Sequence, residues 1–154
     1  KVIPEDTAFL MANMMKGVVE RGTGMVVKPL GRPVAGKTGT TNDQMDGWFI
    51  GYTPEGVCAV WVGFDVKKEI GHKETGGRVA APIFLYFMQQ FLANQFPIDF
   101  DIPDGVIPVP VDLGSGRYSE SPDAFIEYFK SGTEPNAGEA ETKSATDYLQ
   151  NSEF

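Results

Sequence analysis

The sequence holds one cysteine, one histidine and no long apolar run. Cys58 has no second thiol with which to close an internal disulfide or share a metal. Its place in Val57-Cys58-Ala59-Val60-Trp61-Val62 predicts burial as a small hydrophobe. His72 stands alone among Lys67, Lys68, Lys73 and Glu74, the setting of a solvated loop rather than of a metal ligand. Nothing approaches the roughly 20 consecutive apolar residues of a membrane span, and no basic-then-apolar signal pattern is present, so these residues read as a soluble chain. Basic residues are also scarce, 13 against 21 acidic ones, for a net charge of −8. Residues 1–96 carry 10 basic and 9 acidic side chains, and 97–154 carry 3 and 12. Neither part offers a basic nucleic-acid-binding face, and the acidic excess belongs to a solvated, weakly folded extension.

What is present suffices for a real core: 154 residues, 42% hydrophobic and 12% aromatic. Pro4, then Glu5 and Asp6, then Phe9, Leu10, Met14, Val18 and Val19 at helical spacing predict a helix over 5–20 that stops at Gly22. The neighbouring Met11, Met14 and Met15 read as core packing. From Gly31 the period changes to short β-rich runs at about 33–38, 47–53 and 57–64, parted by Asn42-Asp43, Asp46-Gly47 and Pro54-Glu55-Gly56. The last connection, three or four residues by this reading, requires antiparallel pairing. After Gly76-Gly77, Val79, Ile83, Phe84, Phe87, Met88, Phe91 and Leu92 form a broad stripe on a helix over 78–94, with Pro82 tolerated near its start. Beyond Phe96 four prolines predict extended chain, broken by an apolar patch at Phe125, Ile126, Tyr128 and Phe129 that docks on the domain. Residues 136–154 have little to bury and read as a flexible end.

Gly31-Arg32-Pro33-Val34-Ala35-Gly36-Lys37-Thr38 satisfies the Gly-x-x-x-x-Gly-Lys-Thr pattern of a phosphate-binding loop. That chemistry needs a helix beginning at Lys37, whose N-terminal N–H groups cradle phosphate. The run after Lys37 is Thr-Gly-Thr-Thr-Asn-Asp with Gly47, Gly51 and Pro54 behind it, which cannot sustain one. The alternative is Lys37-Thr38-Gly39 as the Lys-Thr-Gly element of the serine acyltransferases. There an extended edge strand pairs its backbone with a peptide, and Gly39 admits a close ligand.

The surroundings sharpen this second reading. Ala35 to Asp43, Asp46-Gly47-Trp48-Phe49-Ile50-Gly51-Tyr52, Val60 to Asp65, Glu74-Thr75-Gly76-Gly77 with Ala80 to Phe84, and Gly132-Thr133-Glu134-Pro135 closely resemble, in order, successive blocks of class A penicillin-binding proteins. The resemblance covers about residues 1–135 and implies the C-terminal portion of a transpeptidase domain, with 136–154 an acidic flexible tail. The implied fold is α/β, part of the penicillin-binding protein/β-lactamase-like transpeptidase fold, a five-stranded antiparallel sheet flanked by helices. This chain would supply three strands and two helices. The family's nucleophilic Ser-x-x-Lys and its Ser-x-Asn do not occur in these residues, so the resemblance implies a piece of a longer enzyme, inactive alone.

Carried over residue by residue, Lys37 supplies positive potential and orients the Ser-x-Asn hydroxyl. The hydroxyls of Thr38 and Thr40 bind the terminal carboxylate of a D-alanyl-D-alanine stem peptide, and the Thr40 N–H shares the oxyanion hole. Thr41 points away from that face and is expected in packing or a turn hydrogen bond. Trp48, Phe49 and Trp61 are expected in the core. The implied activity is peptidoglycan cross-linking D,D-transpeptidation, without cofactor or metal. The implied partners are the upstream half of the domain, stem peptides and β-lactams, with no nucleic acid and no membrane contact by this chain. The implied location is the periplasm or the outer face of the bacterial cytoplasmic membrane, within an anchored parent. Two other readings remain open: a noncatalytic binding module with the same sheet, and a β-lactamase-like hydrolase, which the aromatic blocks and acidic tail fit poorly.

Overall fold

A computed structural model describes residues 2–135; the expected flexible end at 136–154 lies outside them. Two units form, the first ending at Pro103 and the second starting at Asp104. In the first, helix α1 (Glu5–Arg21) opens after an extended Pro4, with Glu5 and Asp6 in its first turn and Arg21 in its last. The Gly22 and Gly24 N–H groups both donate to the Val18 carbonyl and end it. A 3₁₀ segment, Met25–Leu30, comes next and closes at Gly31, whose φ of 72° is left-handed and favours a residue without a β-carbon. The helix buries Phe9, Ala12 and Val19. The three neighbouring methionines of α1 are not core residues: Met11 and Met14 are exposed, and Met11 and Met15 instead line an open groove of about 720 Å³ with Tyr52, Phe100 and Ile102. Hydrophobicity favours Met over Ala, whereas helical phase places the small Ala12 on the buried side.

Strands β1 (Ala35–Thr40), β2 (Asp46–Thr53) and β3 (Gly56–Gly63) form an antiparallel sheet in the order β1-β2-β3. Only Pro54 and Glu55 separate β2 from β3, one or two residues fewer than the sequence suggested. Along β2 the even pleat decides what is buried. Gly47, Phe49, Gly51 and Thr53 face inward, and Trp48 and Ile50 face out. Phe49 is therefore core, as expected, but its neighbour Trp48 cannot be. Trp48 and its register partner Trp61 are about two-fifths exposed, with ring centroids 6.4 Å apart. The Trp61 Nε1 donates to Asp46 Oδ1 at 2.9 Å.

The expected single helix over 78–94 is two, α2 (Gly76–Val79) and α3 (Ala81–Phe91). Pro82 explains the break, because it brings no N–H for the carbonyl of Arg78 and its ring crowds that carbonyl. Phe84, Met88 and Leu92, one turn apart on α3, close over Phe49, Val27, Val34 and Val19 to make the core. The Phe49 and Phe84 rings meet edge to face at 4.8 Å. Val79 also packs against this core, whereas Ile83, Phe87 and Phe91 of the predicted stripe are each nearly half exposed, and the last two stack 6.0 Å apart. Cys58 packs against the core, where burial pushes its thiol pKa up, and His72 sits at the surface.

In the second unit β4 (Val106–Val111) pairs antiparallel with β5 (Phe125–Lys130), so the patch at Phe125 to Phe129 is one strand of a hairpin-like ribbon. Prolines at 108 and 110 hide β4 from a reading of the sequence. They are admitted because the Pro110 carbonyl accepts from Ser119, away from β5, which places both proline nitrogens on the side where no ladder bond to β5 is lost.

Candidate active-site strand

Lys37 lies in the middle of β1 and starts no helix, so the phosphate-loop reading falls. The Thr41 N–H donates to the Asp46 carbonyl at 3.1 Å, which fixes the parity of the ladder. Lys37 and Gly39, paired with Ile50 and Trp48, turn their backbone groups to β2. The N–H and C=O groups of Thr38 and Thr40 consequently point to the outer edge of β1, which no described strand pairs. The same alternation divides the side chains. Lys37 leaves on the Trp48 face, and Thr38 and Thr40 on the face of α2 and α3. Lys37 nonetheless returns to the edge, where its exposed Nζ donates to the Thr38 carbonyl at 2.8 Å. Gly39 sits against Trp48, and a β-carbon there would come 3.1 Å from the Trp48 Cβ. Thr41 makes the expected turn hydrogen bonds, accepting from the Asp46 N–H at 2.9 Å.

Sequence reasoning missed what stands behind the two threonines. The Thr23 and Thr38 hydroxyls are 2.8 Å apart, and the Gly76 N–H donates to Thr40 Oγ1 at 3.1 Å. Gly76 rests on the sheet so closely that a β-carbon would overlap the carbonyl oxygens of Trp48 and Gly39. The signal was a glycine pair, Gly76-Gly77, where a helix starts; glycine at such a place marks close approach of one backbone to another. Gly76→Ala is expected to cost about 1–3 kcal/mol by overpacking. Thermal unfolding of the full-length protein, against the exposed substitution Tyr86→Ala, checks this.

An antiparallel sheet packed against helices, with Lys-Thr-Gly on its edge strand, is the setting in which the serine acyltransferases carry that element. The profile of the penicillin binding protein transpeptidase domain matches residues 1–89. The chain is 40% identical over 138 residues to penicillin-binding protein 1A of Pseudomonas aeruginosa, covering 88% of this chain and 17% of that protein. It is 37% identical over 130 residues to penicillin-binding protein 1A of Rickettsia conorii, covering 84% and 16%. The crystal structure of penicillin-binding protein 1A from Haemophilus influenzae superposes with a TM-score of 0.80 at 28% identity, over 88% of this chain and 22% of that one. The chain belongs to the penicillin-binding protein transpeptidase family, in its class A branch, and it spans about one sixth of the length of these curated relatives.

Proposed function

We propose that residues 1–135 are the C-terminal portion of a D,D-transpeptidase domain and supply the substrate-binding edge of its cleft. The observation that carries this is the outer edge of β1, unpaired by any strand among the described residues, where the backbone of Thr38 and Thr40 and the Lys37 ammonium converge. In this reading a stem peptide ending in D-alanyl-D-alanine lies along that edge. Lys37 provides the positive field and orients the Ser-x-Asn hydroxyl, the Thr38 and Thr40 hydroxyls hold the terminal carboxylate, and the Thr40 N–H helps hold the oxyanion. Gly39 keeps the strand slim between them.

The nucleophilic serine comes from the upstream half of the domain, which also covers two surfaces left open here. One is the outer edge of β3, unpaired among the described residues, and the other is the apolar row of Ile83, Phe87 and Phe91. The product of the reaction is cross-linked peptidoglycan, and β-lactams compete by acylating the same serine. No helix among the described residues is long and apolar enough to cross a membrane, so anchoring to the outer face of the cytoplasmic membrane falls to other parts of the parent.

The test is covalent labelling with a fluorescent penicillin. The full-length protein is expected to label stoichiometrically, this chain alone not at all, and the chain co-expressed with the upstream half to regain labelling. Stoichiometric labelling of the chain alone would overturn the reading. A full-length protein that binds stem peptide but never labels would make it a noncatalytic module.

A further inference from the structure

We infer that Thr23 is a positioning residue for the carboxylate anchor: it feeds a proton to Thr38 from behind, as the Gly76 N–H does to Thr40, so that both anchor hydroxyls keep their own protons for an anionic ligand. This rests on the proposed role of Thr38 and Thr40 as that anchor.

A threonine hydroxyl has one proton to give and lone pairs to receive. At Thr40 the direction is settled by chemistry, since a backbone N–H can only donate. The Gly76 N–H occupies the acceptor side of Thr40 Oγ1 at 3.1 Å and leaves the Thr40 proton unused within the strand. At Thr38 the partner is another hydroxyl at 2.8 Å, so either oxygen can be the donor. If Thr38 gave its proton to Thr23 it would turn lone pairs toward a carboxylate and repel it. If Thr23 gives, the two anchors become equivalent: each is backed by one donor and each presents one O–H on the same face of β1. An anion selects that second arrangement, because a hydroxyl that accepts a hydrogen bond becomes a better donor.

The placement is specific. Thr23 lies between Gly22 and Gly24, in the turn that ends α1, and its carbonyl is close to Gly77, where a β-carbon would come within 2.7 Å. The turn after α1 and the glycine pair before α3 therefore meet behind the strand. Thr23 hands a hydroxyl to Thr38, and Gly76 hands an N–H to Thr40.

The experiment compares Thr23→Val, Thr23→Ser, Thr38→Val and the double variant Thr23→Val/Thr38→Val in the full-length protein. It measures second-order acylation by benzylpenicillin and by its methyl ester, which lacks the anionic carboxylate. Thr23→Val is expected to slow acylation by benzylpenicillin about three- to tenfold, the worth of one hydrogen bond. The loss should lie in the binding constant rather than in the first-order acylation step. Thr23→Ser should restore the rate, the ester should be insensitive to Thr23, and the double variant should be no slower than Thr38→Val. A normal rate in Thr23→Val beside a slow Thr38→Val would overturn the inference while leaving the anchor reading intact. A normal rate in Thr38→Val would instead remove the anchor reading itself. Losses that multiply in the double variant, or appear equally with the ester, would make Thr23 a structural residue and defeat the inference.

Discussion

Lys37→Ala in the full-length protein is expected to lower the second-order rate of acylation by benzylpenicillin about 100- to 1,000-fold, the usual loss when one preorganised active-site donor is removed. Stability should hardly change. The Lys37 side chain is exposed and its one hydrogen bond, to the Thr38 carbonyl, is on the surface of a strand edge, where substitutions cost within about 0.5 kcal/mol. Thr40→Val should slow acylation comparably, but the structure alters the stability side of that comparison. Thr40 Oγ1 is the acceptor for the part-buried Gly76 N–H, so valine leaves that N–H without a partner at about 1–3 kcal/mol. Thr40→Ser keeps the oxygen and is the matching control: it should retain both the melting temperature and most of the acylation rate. Acylation at the parental rate in both Lys37→Ala and Thr40→Val would remove these two residues from the site.

Strands and helices of the first unit are legible in the sequence because each element carries a clean period, and the Lys-Thr-Gly edge because its neighbours Gly36 and Trp48-Phe49 have few other uses in that order. The failures share a cause. Periodicity ranks residues by hydrophobicity, and it cannot say which apolar face another part of the protein will cover. On that basis Met11, Met14, Trp48, Trp61, Phe87 and Phe91 read inward, and all are exposed. Phase corrects it for α1, where Ala12 takes the buried position, and alternation corrects it for β2, where Phe49 and Trp48 cannot share a side. Proline misleads twice in opposite directions: Pro82 reads as tolerable inside one helix and divides two, and Pro108 and Pro110 read as non-strand and lie in β4. At the site, Lys37 to Thr40 are readable as a motif. The contacts of Thr23 and Gly76 with that motif are not, because the tertiary fold brings these residues to β1 from 15 and 36 residues away in sequence.

The largest loss of stability is expected at a pair that no motif announces. Arg32, the second residue of the false phosphate-loop pattern, and Glu55, in the two-residue turn between β2 and β3, meet at 2.9 Å with side chains only 8% and 10% exposed. The same guanidinium donates to the carbonyls of Gln95 at 2.8 Å and Leu92 at 3.3 Å. Leu92 caps the C-terminal end of α3, where the negative end of the helix dipole favours a cation, and Gln95 lies in the turn that follows. One planar fork thus ties the entry to β1, the β2–β3 turn and the end of α3. Burial by itself would raise the Glu55 pKa, but hydrogen bonds to the carboxylate and the charge of Arg32 outweigh it, and the net shift is downward. A carboxyl with a lowered folded pKa adds stability above its unfolded pKa, about 4.3, and loses it as pH falls through the folded value. Arg32→Met should leave a buried unpaired carboxylate and cost about 3–5 kcal/mol, a fall in melting temperature on the order of 10 °C for a domain of this class. With the arginine gone, its charge and hydrogen bond no longer hold the Glu55 pKa down, so less stability is lost on acidification and the variant's deficit should shrink from about pH 7 toward about pH 4. Arg32→Met combined with Glu55→Met removes the stranded charge and should recover part of the loss, the remainder being the lost hydrogen bonds to the Leu92 and Gln95 carbonyls. A deficit that stays constant with pH, or a double variant as unstable as the sum of the two single ones, would mean that Arg32 acts on α3 alone and that Glu55 is not held by it.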